Sequence, residues 1–161
     1  MIAILSYYYP PDLCAGSFRV GAFVQALTAS ELRDQKIIVI TTLPNRYASF
    51  ERECPEREVI GSVEIWRIPL PRHGNGMLGQ VFGFTKFYRR AMRIIAEMPI
   101  DSVFATSARL FTGFLGVRVA QRKSVPVFID VRDLFVINIA HVVTNPLFKF
   151  IGLPVLRMVA K

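Results

Sequence analysis

The feature that most restricts what this chain can fold into is a repeated alternation. Short aliphatic and β-branched runs trade places with segments whose apolar residues recur at helical spacing. Ile2 to Tyr7 is one such run, closed by Pro10-Pro11-Asp12, and Lys36 to Thr42 is another, between Arg33-Asp34-Gln35 and Leu43-Pro44-Asn45. Unbroken apolar runs of this length suit strands covered on both faces, because a half-solvated strand would alternate with polar residues. Between the two runs, Val20, Phe23, Val24 and Leu27 stand at offsets of three, four and seven, which predicts a helix from about Ser17 to Ser30.

The pattern continues along the chain. Val63, Ile65 and Arg67 alternate with Glu64, Trp66 and Ile68, as in a third strand nearer an edge. From Met77 to Met98 the residues Phe84, Tyr88, Ala91 and Ile95 form an apolar stripe opposite Lys86, Arg89, Arg90 and Arg93, so this helix is amphipathic and basic. Asp101 to Ala105 reads as a fourth strand and Val125 to Asp130 as a fifth. The helix between them is capped by Thr106-Ser107, with Gly113, Gly116 and Ala120 on the face nearest the sheet. Pro44 to Gly61 has no sustained periodicity and is expected to be a long loop.

Strands alternating with helices require right-handed crossovers. The expectation is therefore an α/β fold, an open, mostly parallel, Rossmann-like sheet with helices on both faces. The 161 residues suffice for one such domain. Ligands of these sheets bind beyond the carboxyl ends of the strands, where strand order reverses, so loops 8–16, 43–50, 70–77, 106–109 and 130–135 are the candidate walls of a site.

Charge narrows the ligand class. Lys plus Arg exceed Asp plus Glu by 20 − 12 = 8, which favours anionic partners: nucleic acid, acidic lipid headgroups or diphosphates. Nucleic acid is disfavoured because aromatic and basic residues do not interleave in any recognisable module. A GxGxxG fingerprint is missing, and so is an acidic ribose contact after the second strand, which argues against a dinucleotide oxidoreductase. Cys14 and Cys54 have neither CxxC spacing nor a neighbouring His or Cys cluster, so neither a zinc site nor a disulfide framework is suggested and a reducing cytoplasm fits. The amino terminus lacks the basic region and apolar length of a signal peptide. Leu134 to Ala160 is apolar, but Asn138, His141, Asn145, Pro146, Lys149 and Pro154 interrupt it, so it is expected to pack or lie at an interface.

Several residues in the candidate loops carry chemistry. Gly16, Ser17 and Arg19 open the first helix, where free N–H groups favour an anion; alternatively Gly16 serves a turn and Ser17 a cap. Asp130, Arg132 and Asp133 end the fifth strand, either as a site for hydroxyl or phosphate groups or as a local ion-pair network. Asp12, Thr106, Ser107, Arg109 and His73 complete the row; the hydroxyls suit helix capping or a sugar, and His73 solvent or proton transfer. Lys86, Arg89, Arg90 and Arg93, beside Phe82, Phe84 and Phe87, form either a solvated helix face or a surface that docks on an anionic membrane with the aromatic rings dipping inward.

Taken in order, Tyr9-Pro10-Pro11-Asp12, Gly16-Ser17-Phe18-Arg19, Ile40-Thr41-Thr42-Leu43-Pro44, Arg67-Ile68-Pro69 and Asp130-Val131-Arg132-Asp133-Leu134 resemble the N-terminal domain of group 1 (family 4) glycosyltransferases of the GT-B fold. The nearest resemblance is to bacterial transferases, some of them amino-sugar transferases, that build O-antigen, capsule or exopolysaccharide. It implies a retaining, nucleotide-sugar-dependent enzyme without an essential metal, peripheral at the inner face of the plasma membrane and acting on a lipid-diphosphate-linked acceptor. Gly16, Ser17 and Arg19 would approach the donor diphosphate, Asp12, His73, Thr106, Ser107, Arg109 and Asp130 the acceptor, and Arg132 or Asp133 the reacting hydroxyl. In that family a C-terminal domain with paired glutamates holds most of the donor. Residues 1–161 would be the acceptor-side domain only, with negligible transferase activity alone. Two departures stand out: Arg33-Asp34-Gln35-Lys36 lacks the Gly-His of many relatives, and Leu134-Phe135 replaces an aromatic-proline pair. The rival class is a non-catalytic binding or membrane-partner domain.

Overall fold

A computed structural model of the chain describes residues 1–45, 53–70, 77–107 and 110–132. They form strand β1 (Ile2–Leu5), helix α1 (Ala15–Ala29), strands β2 (Ile37–Thr42), β3 (Arg57–Ile60) and β4 (Val63–Ile68), helix α2 (Met77–Ala96), strand β5 (Ser102–Thr106), helix α3 (Leu110–Lys123) and strand β6 (Val127–Asp130). The strands make one six-stranded sheet in the order β3-β4-β2-β1-β5-β6. Every neighbouring pair is parallel except β3 with β4. The fold is an α/β, Rossmann-like open sheet.

Alternation along the strands distributes the helices. Ile4, Ile37, Val39, Val63 and Ile65 point to one face, where they pack with Val20 and Val24 of α1. Ala3, Leu5, Ile38, Ile40, Val103 and Ala105 point to the other, beneath Phe87 and Ala91 of α2 and Leu115 and Val119 of α3. Side chains two apart share a face, so one apolar run supplies both cores. The sheet is thereby covered on both sides, as continuous strand hydrophobicity requires.

Two expectations are corrected. The long loop predicted from Pro44 to Gly61 contains β3, an edge strand that pairs antiparallel with β4 through Ile60↔Val63 and Arg57↔Trp66. Gly61, at φ +58°, makes the tight reversal possible, since a left-handed backbone is nearly free only for glycine. The strand lacks periodicity because it is an edge: Val59 and Ile60 are both exposed, and polar residues line the rest. The second correction concerns α2. Phe87 was grouped with aromatic rings facing a membrane, but it is fully buried, and Phe84 is half-buried against the same core. Only Phe82 of the three stands exposed, next to Val81.

The small-residue face of α3 has the role its spacing suggests. A methyl group built on Gly116 would stand 2.5 Å from the Cβ of Ala105, so the helix rests directly on β5. At Gly113 the nearest atom to such a group is Ile129 Cγ2 at 3.7 Å, ordinary contact.

Candidate functional site

Chain connections run outward in opposite directions from β1 and β5: α1 leads from β1 to β2, and α3 leads from β5 to β6. Strand order therefore reverses between β1 and β5, and the crevice beyond their carboxyl ends is the place where such sheets take ligands.

The loop leaving β1 is built by its own hydrogen bonds and by β2. Ser6 Oγ donates to the Tyr8 carbonyl at 2.6 Å, and Thr42 Oγ1 donates to the Tyr7 carbonyl at 2.7 Å. The Asn45 N–H donates to Asp12 Oδ2 at 3.3 Å, while its side-chain amide donates to Thr42 Oγ1 at 2.6 Å and the Leu43 carbonyl at 2.9 Å. Asp12 is buried, so its carboxylate acts first as a tie between the two loops. Tyr9 is buried too, and that burial raises its phenol pKa above the usual value; the Arg67 charge opposes the rise and Glu58 adds to it.

Helix α1 begins without a side-chain cap: Cys14 occupies the N-cap position, and no acidic residue lies in the first turn. The first intrahelical bond runs from the Phe18 N–H to the Cys14 carbonyl at 3.1 Å. The preceding amides, including those of Gly16 and Ser17, retain the electropositive character of a helix start. The Ser17 side chain points inward, with no exposed surface and no hydrogen-bond partner for Oγ. In this conformation Ser17 can offer a ligand only its backbone.

One turn on, Arg19 reaches across the crevice. Its Nη2 donates to Asp130 Oδ1 at 2.8 Å, joining α1 to the end of β6. The guanidinium side chain is 59% exposed and the aspartate 14%, so the pair leaves most of the cation facing solvent. Two residues predicted from distant parts of the chain thus meet on one rim. Below them, Val20, Phe23, Phe104, Phe128 and Ile129 line a groove of about 290 Å³. Phe23 stacks on Phe104 at 4.3 Å between ring centres, and Phe128 is 62% exposed. These aromatic walls were not singled out from the sequence. Alternation in β5 and β6 places Phe104 and Phe128, which are register partners, on the α1 side of the sheet.

Ser107 ties the ends of β5 and β6. Its N–H donates to the Asp130 carbonyl at 2.9 Å, and its Oγ accepts the Arg132 N–H at 3.0 Å. Thr106, buried, is the register partner of Asp130. The hydroxyl of Ser107 thus supports the turn that carries Arg132. His73, Arg109 and Asp133 lie outside the described residues. On α2, Lys86, Arg89, Arg90 and Arg93 are all exposed, on a helix separate from this rim. No helix among the described residues is long and apolar enough to cross a membrane, and no cluster of three or more His, Cys, Asp or Glu there is placed to hold a metal ion.

No family model matches the sequence, and no curated protein matches it either. Among solved structures, the chain is similar to the C-terminal domain of a hydrogenase from Pyrococcus furiosus. The TM-score is 0.51 and the identity 14%, over 81% of this chain and 89% of that one. At such identity the likeness is one of fold: an open α/β sheet.

Proposed function

We propose that this domain is the acceptor-side half of a retaining, nucleotide-sugar-dependent glycosyltransferase. It would act in bacterial surface polysaccharide synthesis, on a lipid-diphosphate-linked acceptor at the cytoplasmic face of the membrane. The observation that carries the reading is the meeting of Arg19 and Asp130 at 2.8 Å beside an uncapped helix start, at the switch point of the sheet. A cation and free amides attract a diphosphate, while an adjacent carboxylate accepts hydrogen bonds from sugar hydroxyls. The apolar groove beneath would receive a ring or the start of a lipid chain. A second domain would hold most of the donor, and no metal is needed for charge already met by arginine and helix.

The first test is binding. Isothermal titration calorimetry with pyrophosphate, nucleoside diphosphates and a short-chain polyprenyl-diphosphate sugar should show binding of diphosphate-bearing ligands and none of free sugars. Arg19→Ala should weaken diphosphate binding about tenfold, the usual worth of a charge-assisted contact. Equal affinity in wild type and variant would remove Arg19 from the site.

A second reading, a membrane-partner domain, is favoured by the outer face of α2. Val81 and Phe82 are exposed at its start, and four cations follow without an intervening acid. Such a face suits the headgroup layer of anionic lipid. At roughly 1 kcal/mol for each basic residue near the surface, Arg89→Gln with Arg93→Gln should lower partitioning onto phosphatidylserine vesicles roughly 30-fold. Sedimentation of the double variant equal to that of wild type would leave α2 as a solvated helix.

A further inference from the structure

Arg67 is a buried cation that the site described above does not use. It lies on β4 on the α1 side of the sheet, in the row of Val63 and Ile65, with its side chain 4% exposed. Its Nη1 pairs with Glu58 Oε2 at 2.8 Å and also donates to the Pro55 carbonyl at 3.2 Å. Its Nη2 donates to the Pro10 carbonyl at 3.2 Å, and Nε, equally buried, has no partner. The backbone adds a fourth connection, from the Arg67 N–H to the Glu56 carbonyl at 2.7 Å. Pro10 is held at its ring as well as at its carbonyl: a methyl group on Gly21 of α1 would stand 2.9 Å from Pro10 Cγ, so ring and helix are in close contact.

An arginine on a hydrophobic sheet face is costly to bury and persists only where its donors are used. Here the two terminal nitrogens are spent on the Glu58 carboxylate and on backbone carbonyls from two loops, and one of those loops leads directly into the uncapped start of α1. We propose that Arg67 is the positioning residue of the diphosphate seat. It clamps Pro10 against Gly21 and so sets where residues 12–17 present their amides. Through Glu58 and Pro55 it makes that placement depend on the edge hairpin β3–β4. The proposal rests on the diphosphate reading above, and the two can fail separately.

The test combines amide hydrogen exchange, read residue by residue, with pyrophosphate titration. The reporters are the N–H groups of Asp12, Cys14 and Phe18, whose acceptors are the carbonyls of Tyr9, Asp12 and Cys14. Arg67→Met is compared with Val119→Ala, a core change on α3 beneath the opposite face of the sheet that serves as a control for general loss of stability. The expected result is faster exchange at the three reporters in Arg67→Met than in Val119→Ala, with pyrophosphate affinity reduced about tenfold in the former and unchanged in the latter. Glu58→Gln, which keeps the bonds to both carbonyls, should leave affinity within about twofold of wild type. If Arg67→Met does not fold, Arg67→Lys replaces it; a single ammonium cannot reach both loops, and intermediate exchange is expected. Reporter exchange equal to the control overturns the proposal, as does faster exchange with unaltered affinity. Wild-type protein that ignores pyrophosphate sinks the seat itself, leaving Arg67 a residue of the fold alone.

Discussion

Replacing Gly116 by valine should destabilise the domain by about 3 kcal/mol or more, at the upper end for overpacked cores. The reason is local. A Cβ at this position would lie 2.5 Å from the Cβ of Ala105, a fully buried residue of β5, so neither atom is the flexible end of a side chain. The helix would have to lift, and with it the contacts of Leu115 and Val119 in the larger core cluster. Gly116→Ala makes the argument sharper. In an open helix that change gains about 1 kcal/mol of helix propensity, yet here it should lower stability, because the first carbon already collides. Adding Ala105→Gly removes the opposing methyl group and should recover part of the loss, less about 0.5–1 kcal/mol for glycine within a strand. Urea unfolding of the four proteins measures each value. Equal midpoints for wild type and Gly116→Val would mean that α3 does not rest on β5.

That contact was legible in the sequence because it depends on period alone. Gly113, Gly116 and Ala120 share a helical face, and small residues there allow close approach to a sheet. The parallel framework was legible for the same reason: runs such as Ile37 to Thr42 leave no polar face to solvate. Strand β3 was not, since Val59 and Ile60 are adjacent and exposed, and an edge strand needs no buried face to betray it. Its clue was the Gly61-Ser62 pair between apolar residues, a two-residue hairpin signal. The apolar stripe of α2 was legible as well, since Phe84, Tyr88, Ala91 and Ile95 all pack in or against the larger core. What the stripe left out is Phe87 and Ile94, which are buried beside it. Phe82, Phe84, Phe87 and Tyr88 surround the first half of the helix, so spacing alone does not decide which faces inward.

The candidate site was legible to the level of its rim. Topology puts the start of α1 and the end of β6 on the carboxyl side of one sheet, and the sequence shows charge at both. That Arg19 would pair with Asp130 was not readable, because it depends on how far α1 leans across β5. The inward turn of Ser17 and the use of the Ser107 hydroxyl by the Arg132 N–H are likewise decided by loop geometry, which no periodicity encodes. Arg67 was hidden by its own alternation, since its place in a strand pattern says nothing of the carbonyls that come to meet it.

Phe87→Ala carries the largest expected cost, about 3–5 kcal/mol for a buried phenylalanine truncated to a methyl group. Phe87 has no exposed surface and meets Tyr7 edge-on at 5.3 Å between ring centres, with Phe84 at 6.2 Å. Tyr7 stands just past the end of β1, and its carbonyl accepts the Thr42 hydroxyl, so the cavity would open under the root of the loop that leads to α1. Phe87→Leu, which keeps most of the volume, should cost less than half as much. On the same helix, Arg90→Ala alters an exposed position and should change stability by no more than about 0.5 kcal/mol. The contrast also separates two roles for the aromatic residues of α2. If Phe87 belonged to a lipid-facing surface, its truncation would reduce vesicle binding and spare the unfolding midpoint, as Phe82→Ala is expected to do. Buried as it is, Phe87→Ala should lower the midpoint sharply. At temperatures where the variant remains folded, any vesicle binding by the exposed face should be retained, because that face offers lipid Val81, Phe82 and four cations and nothing of Phe87.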